Sequence, residues 1–110
     1  MMRSMGLDER MIGEIVRRVL SVTTPAKIIV FGSAARGDMT ADSDIDLLIV
    51  SENPPRDLKS RTNVYQSLRG LGRPVDVCFI SSQWFEESKE VFGGIAYPAH
   101  KEGRVIYDAA

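Results

Sequence analysis

The chain has 110 residues, of which 44% are hydrophobic and 26% are charged. This balance is typical of an ordinary globular protein and excludes disordered, collagen-like and coiled-coil compositions. The formal net charge is −1, from 14 Lys and Arg against 15 Asp and Glu. Because a protein that grips a polynucleotide backbone usually has a clear basic excess, the charge argues against nucleic acid as the partner. The length predicts a single domain, residues 1–110.

Cysteine and histidine are represented by one residue each, Cys78 and His100. One of each is too few for a disulfide framework or a Cys/His zinc site. No apolar run approaches the roughly 20 residues of a membrane span, and the charged N-terminal segment lacks the apolar core of a signal peptide. We therefore expect a cytoplasmic protein that has no membrane partner.

The first half of the chain predicts a helix, a strand, a short helical turn and a second strand. Apolar residues recur at helical spacing from Asp8 to Val22, and Asp8 is a suitable N-cap. The β-branched run from Lys27 to Phe31 predicts the first strand, and the DIDLLIV run from Asp44 to Val50 predicts the second. Between them, Ser33 to Arg36 reads as one helical turn.

The second half predicts three further helical segments and two further strands. Helices are expected at Arg56 to Leu71 and at Ser82 to Phe92, where Ser82 is the candidate cap, and a last helical turn at Pro98 to Lys101. Strands are expected at Val75 to Ile80 and at Arg104 to Tyr107. This order of elements predicts the α/β class, with a small mixed sheet flanked by helices.

Two groups of side chains in this second half have structural interpretations. Most of the aromatic residues near the C-terminus are expected to pack a helix on the sheet, and any that is exposed would instead mark a protein interface. These residues are Trp84, Phe85, Phe92 and Tyr97. The basic residues around the second long helix are interpreted as a solvated face, with contact to an acidic partner or RNA as the alternative. They are Arg56, Lys59, Arg61, Arg69 and Arg73.

Two carboxylates, Asp44 and Asp46, alternate along the second strand. Because alternate side chains of a strand share a face, the two negative charges are expected to lie side by side and repel each other. A bound divalent cation such as Mg²⁺, which prefers carboxylate oxygens, would relieve that repulsion. The alternative is that both are solvated acids at the end of the strand.

A third carboxylate, Asp76, interrupts the otherwise apolar strand VDVCFI. An acid is rarely placed in such a run without a partner. If this strand lies beside Asp44 to Val50, Asp76 can face the same metal, and three carboxylates can hold two metal ions for phosphoryl transfer. The alternative is an exposed acid on an edge strand.

The turn after the first strand, Gly32-Ser33, is a candidate phosphate site. Glycine permits close approach of the backbone, and the serine hydroxyl and the following N–H groups can bind phosphate oxygens. Arg36 can pair with a phosphate or with an acid of the site. An ordinary turn and a solvated arginine are the alternatives.

Together these segments, GSAARG at residues 32–37 and SDIDL at residues 43–47, resemble the GSxARG…SDIDL signature of the minimal nucleotidyltransferases. That family belongs to the DNA polymerase β-like nucleotidyltransferase superfamily, and the resemblance covers Lys27 to Ile80. It implies a mixed α/β fold in which Gly32 and Ser33 bind the phosphates of ATP. It also implies that Asp44, Asp46 and Asp76 are the catalytic residues and the ligands of one or two Mg²⁺ ions.

The resemblance further implies a partner. Small chains of this family often accompany an all-helical HEPN protein as the antitoxin of a toxin–antitoxin pair, and can transfer AMP from ATP to a tyrosine of that toxin. The chain would supply the catalytic core, and the acceptor would come from another chain or from a homo-oligomer. Two alternatives remain, a nucleotidyltransferase for a small molecule such as an aminoglycoside, and a non-catalytic antitoxin that acts by binding alone.

Overall fold

The structure, a computed structural model, describes residues 7–40 and 42–110. Their helices and strands follow in the order α1 (Glu9–Leu20), β1 (Lys27–Phe31), α2 (Ser33–Arg36), β2 (Ile45–Ser51), α3 (Leu58–Ser67), β3 (Val75–Ser81), α4 (Ser82–Ser88), α5 (Ala96–Glu102) and β4 (Arg104–Asp108). Within these ranges no helix combines the length and the apolar character needed to cross a membrane.

The four strands form one mixed sheet in the order β3-β2-β1-β4. β1 pairs antiparallel with both β2 and β4, whereas β2 pairs parallel with β3. A parallel pair needs a crossover between its strands, and α3 lies in the connection from β2 to β3. The predicted fold class, a small mixed sheet flanked by helices, is confirmed.

Each face of the sheet is covered by a different pair of helices. Alternate side chains of β2 point to opposite faces and therefore pack against different helices. Leu47 lies in a buried cluster with residues of α1 and α3 and the C-cap of α3, namely Ile15, Val19, Val64 and Leu68. Leu48 lies in a second cluster with residues of α4 and α5, namely Phe85, Ala96 and Ala99. Asp46 lies two residues before Leu48 on β2, so its side chain is on the same face of the sheet, which α4 and α5 partly cover.

The bounds of the early elements agree closely with the sequence. Asp8 is the N-cap of α1, as predicted, and its Oδ1 accepts a hydrogen bond of 2.8 Å from Met11 N. β1 and α2 begin and end at the predicted residues. β2 begins at Ile45 rather than at Asp44, so Asp44 belongs to the loop before the strand.

Of the later helices, α3 and α4 are shorter than predicted, and the last is longer. α3 begins at Leu58 because Asp57 caps it, accepting from Ser60 N at 2.9 Å, and it ends at Ser67. Ser81 rather than Ser82 caps α4, with a bond of 3.0 Å from Trp84 N to its hydroxyl. α4 ends at Ser88, well before Phe92, and the last helix extends over Ala96–Glu102.

Candidate active site

The parallel pairing of β2 with β3 places Asp46 directly opposite Asp76. Register partners on neighbouring strands project to the same face of a sheet. Asp46 is half-buried between its neighbouring strands, whereas Asp76 is exposed on the edge strand. The structure thus brings together the two carboxylates on neighbouring strands that the sequence analysis singled out.

Asp44 is held differently from the other two acids. It is exposed and lies one residue before β2, outside the ladder. The predicted start of the strand at Asp44 was therefore wrong, because β2 starts only at Ile45, whose N–H donates to Pro74 O at 2.9 Å. Strand alternation does not by itself place Asp44 beside Asp46. The position of Asp44 depends on the conformation of the loop instead.

Negative charge is concentrated around Asp46. Its burial, and then the charges of Asp76 and Asp44, raise the pKa of this carboxyl above its ordinary value. The positive charge of Arg36 opposes this shift without cancelling it. All three predicted acids are thus near enough to interact through their charges, and their mutual repulsion is only partly compensated.

The Gly32-Ser33 turn lies against the same carboxylate. β1 ends at Phe31, the register partner of Asp46, and Gly32 follows with a φ of 71°. A Cβ atom at Gly32 would collide with Oδ2 of Asp46. The turn therefore needs glycine for two reasons, its positive φ and the close approach of its backbone to a carboxylate. Ser33, half-buried, is the first residue of α2.

Arg36 reaches two acids, neither of which is among the three carboxylates. Its Nε lies 3.2 Å from Oδ2 of Asp38, and its Nη1 lies 3.6 Å from Oε1 of Glu102. These pairs tie the end of α2 to the end of α5. Because exposed ion pairs contribute only about 0–1 kcal/mol, Arg36 can exchange them for another anion at little cost.

A divalent cation fits this site in donor chemistry. Asp44, Asp46 and Asp76 offer oxygen ligands, the type that Mg²⁺ prefers. Burial, and then the charges of Asp76 and Asp44, raise the pKa of Asp46, and a bound cation would stabilise its ionised form. In residues 7–40 and 42–110, however, no three or more His, Cys, Asp and Glu side chains already form a group that could hold a metal ion. The carboxylates lie in one region of the surface, but their side chains are not yet arranged around a common metal position.

The other reactive side chain on this face is Cys78, two residues beyond Asp76 on β3. It is a free, half-buried cysteine. Burial, and then the charges of Asp76 and Asp46, raise the pKa of its thiol. The thiol therefore stays protonated and unreactive, as expected of a cysteine that serves in packing.

The sequence analysis missed Arg73, which it interpreted as part of a solvated basic face. Its Nη1 donates to two main-chain carbonyl oxygens of the loop before β2, those of Thr40 at 2.8 Å and Ser43 at 3.1 Å. Both acceptors are distant in sequence, so no local pattern predicts the contact. The one available signal was the position of Arg73 three residues before Asp76.

Several apolar side chains of α4 and of the loop from α4 to α5 are exposed, and for Trp84 and Phe92 this differs from the expectation that they pack on the sheet. Phe85 is buried, but Trp84 is 58%, Val91 59% and Phe92 85% exposed. Phe92 contacts the half-buried Tyr97 edge-on, with ring centroids 5.2 Å apart. We call Trp84, Val91 and Phe92 the α4–α5 surface; by the alternative stated above, exposed aromatic residues mark a protein interface.

Comparison with known proteins agrees with the sequence resemblance. Residues 10–104 match the family model described as the nucleotidyltransferase domain. A protein of Methanocaldococcus jannaschii that is provisionally named a protein adenylyltransferase is 69% identical over 26 residues. That stretch spans 24% of this chain and 26% of that relative.

Solved structures with the same fold include two toxin–antitoxin proteins. One, from a toxin–antitoxin crystal structure with AMP-PNP, has a TM-score of 0.69 at 19% identity, over 88% of this chain and 73% of that chain. The other, from a toxin–antitoxin MntA–HpeT mutant, has a TM-score of 0.58 at 18% identity, over 93% and 74%. A nucleotidyltransferase of Sulfolobus solfataricus, provisionally so described, has a TM-score of 0.60 at 24% identity, over 91% and 82%.

Replacing Gly32 with alanine tests the close approach of the turn to Asp46. Gly32→Ala is expected to displace the turn or the carboxylate and to remove the rise in Tm on adding Mg²⁺ with ATP. Gly37→Ala is the control for a positive φ, 80°, because nothing lies within 4 Å of its added Cβ. Gly37 has a ψ of 19° whereas Gly32 has a ψ of −152°, so Gly32→Ala carries a larger backbone strain besides the collision. The control should cost about 1–2 kcal/mol of stability from the left-handed backbone alone and keep the Tm rise. A Gly32→Ala protein that responds to Mg²⁺ and ATP like the wild type would contradict this account.

Replacing Asp46 with asparagine tests the charge repulsion through its pH dependence. A pKa raised in the folded state means that the ionised carboxylate opposes folding, so the penalty is present above that pKa. With a chelator present, Asp46→Asn should therefore melt above the wild type at neutral pH. The difference should shrink as pH falls through the raised pKa towards the ordinary carboxyl range.

The control for this comparison is Asp42→Asn, which removes an exposed acid of the preceding loop. Thermal melts of the three proteins across the pH range provide the measurement. An Asp46→Asn protein that melts at or below the wild-type temperature at neutral pH would show that the charge is already compensated.

Proposed function

We propose that this chain, which belongs to the nucleotidyltransferase domain family, transfers AMP from ATP to a hydroxyl of a partner protein as the antitoxin of a toxin–antitoxin pair. The observation that carries the proposal is that the Gly32 turn, Asp46 and Asp76 lie together at one end of β1, β2 and β3. Nucleotidyl transfer needs this arrangement, because the acids must lie next to the phosphates on which they act.

Each residue of the site has a role in this proposal. Gly32 and Ser33 hold the phosphates, since the absence of a Cβ lets an anion approach the turn backbone and the hydroxyl can donate to it. Asp44, Asp46 and Asp76 hold Mg²⁺, which when bound neutralises charge on the triphosphate. Arg36 leaves its exposed pairs with Asp38 and Glu102 to bind a phosphate oxygen.

The transfer step is a displacement at the α-phosphorus of ATP. The acceptor oxygen forms a bond to that phosphorus while the bond to the β-phosphate oxygen breaks, and pyrophosphate leaves. The proton of the acceptor hydroxyl passes to a carboxylate. Asp76 is the best placed for that role, because it is exposed on the edge strand and an incoming chain can reach it.

Two observations support a protein as the acceptor. On the α4–α5 surface the large side chains of Trp84 and Phe92 are exposed, and Trp is enriched among the residues that dominate protein interfaces. Among the similar proteins, two come from toxin–antitoxin structures, one of them with AMP-PNP, and one relative carries the name of a protein adenylyltransferase. We propose an all-helical HEPN-type toxin as the occupant of the surface.

Co-expression with the protein encoded beside this chain tests the transfer. The intact mass of that protein is expected to rise by whole AMP units with the wild type and to stay unmodified with Asp44→Ala or Asp46→Ala. Each variant removes an acid from the proposed metal site. Asp42→Ala, which removes an exposed acid of the same loop, is the control and should leave the modification intact.

The other outcomes of this experiment are equally informative. A stable complex whose partner is never modified would replace the proposal with an antitoxin that acts by binding alone. A partner that is modified equally by Asp46→Ala would rule out these carboxylates as the catalytic centre. Transfer to an aminoglycoside, with none to the partner, would favour the small-molecule alternative.

Serine substitutions on the α4–α5 surface test the docking of the partner. Trp84→Ser and Phe92→Ser are each expected to weaken the complex by about ten-fold or more, as large exposed anchors at interfaces do. Leu58→Ser is the control, because Leu58 is 81% exposed at the start of α3, away from that surface. Measured affinities that fall equally in all three variants, or in none, would contradict the assignment of the surface.

A further inference from the structure

The three acids of the proposed site are supported in different ways. Asp46 and Asp76 belong to β2 and β3 and are fixed by the ladder that pairs them. Asp44 lies in the loop between α2 and β2, where no strand pairing holds it. Because the charges of Asp44 and Asp46 repel each other, this loop must be restrained if all three acids are to serve one cation.

The loop is restrained first by its own hydrogen bonds. Thr40 N donates to Ser43 Oγ at 2.8 Å, and Ser43 N donates to Thr40 O at 3.1 Å. These bonds close a tight turn immediately before Asp44. They give the turn a shape, but they do not attach it to the sheet.

Arg73 supplies the attachment. Its Nη1 donates to Thr40 O at 2.8 Å and to Ser43 O at 3.1 Å, so a single nitrogen binds the carbonyls at both ends of the turn. Among the described residues no carboxylate lies within ion-pair distance of Arg73. The hydrogen bonds of its guanidinium go to main-chain oxygens. The guanidinium of Arg73 therefore binds backbone carbonyls rather than a carboxylate, and the carboxylate of Asp44 is left available to a ligand.

Arg73 also belongs to the segment that introduces Asp76. It lies two residues before Val75, where β3 begins, and next to Pro74, whose carbonyl accepts from Ile45 N at 2.9 Å. The same short stretch of chain thus anchors the Asp44 loop and leads into the strand of Asp76. We infer that Arg73 is a positioning residue that holds Asp44 close enough to Asp46 and Asp76 for the three acids to bind a shared cation.

This inference rests on the proposed function, so the test separates the two. The Mg²⁺ concentration that half-saturates the ATP-dependent rise in Tm is measured, together with hydrogen exchange at the Thr40 and Ser43 amides. Arg73→Ala should raise that Mg²⁺ concentration by about ten-fold, the effect expected when the support of a metal ligand is lost. It should also speed exchange at both amides, while exchange in the β2–β3 ladder stays unchanged.

Two further variants complete the design. Arg73→Lys keeps the charge and a donor but loses the planar guanidinium, so it should lie between the wild type and Arg73→Ala. It also replaces Arg73→Ala if the latter fails to fold. Arg56→Ala, which removes an exposed arginine before α3, is the charge-matched control and should behave as the wild type.

An unchanged Mg²⁺ requirement in Arg73→Ala, or unchanged exchange at the two amides, would overturn the inference. If the wild type itself shows no response to Mg²⁺ with ATP, the proposed nucleotide site fails. In that case the exchange comparison alone decides whether Arg73 holds the loop, and exchange that Arg73→Ala does not accelerate would reject the inference as well.

Discussion

The arrangement of the site depends on the parallel pairing of β2 with β3. This pairing sets Asp46 opposite Asp76, and with the loop acid Asp44 nearby it concentrates negative charge at one end of the sheet. A sheet that only had to be stable would not place acids in this way, because like charges on neighbouring strands are destabilising. The fold tolerates this repulsion, and a cation-bound polyphosphate is the ligand that would turn it into a favourable interaction.

Much of the fold follows from the sequence because its signals are local. The strands are short β-branched runs between turn residues, and the cap at Asp8 is a side chain placed just before an amphipathic repeat. The later helices are harder to predict. Ser81 and Ser82 are both plausible caps, and only the end of β3 decides between them. The early end of α4 leaves Phe92 exposed, although its spacing alone is compatible with a longer, packed helix.

For the site, the sequence singles out three acids as candidates but does not predict how each of them is held. Asp46 and Asp76 fall on predicted strands, but the sequence left open whether these strands are neighbours, and the parallel pairing in the structure brings the two acids together. Asp44 sits at the boundary where β2 begins, and boundaries are the least certain part of such predictions. The contact of Gly32 with Asp46 and the bonds from Arg73 join residues far apart in the chain. Contacts of this kind depend on the assembled sheet and have no signature in a local pattern.

The central claim is that these carboxylates and the Gly32 turn form one metal and nucleotide site. A crystal structure with Mn²⁺ and a non-hydrolysable ATP analogue, in which anomalous scattering locates the metal, tests it most directly. The account predicts a metal peak bound by Asp44, Asp46 and Asp76, with the phosphates against Gly32 and Ser33. Nucleotide bound elsewhere on the protein, or a metal with no ligand from these three carboxylates, would contradict it.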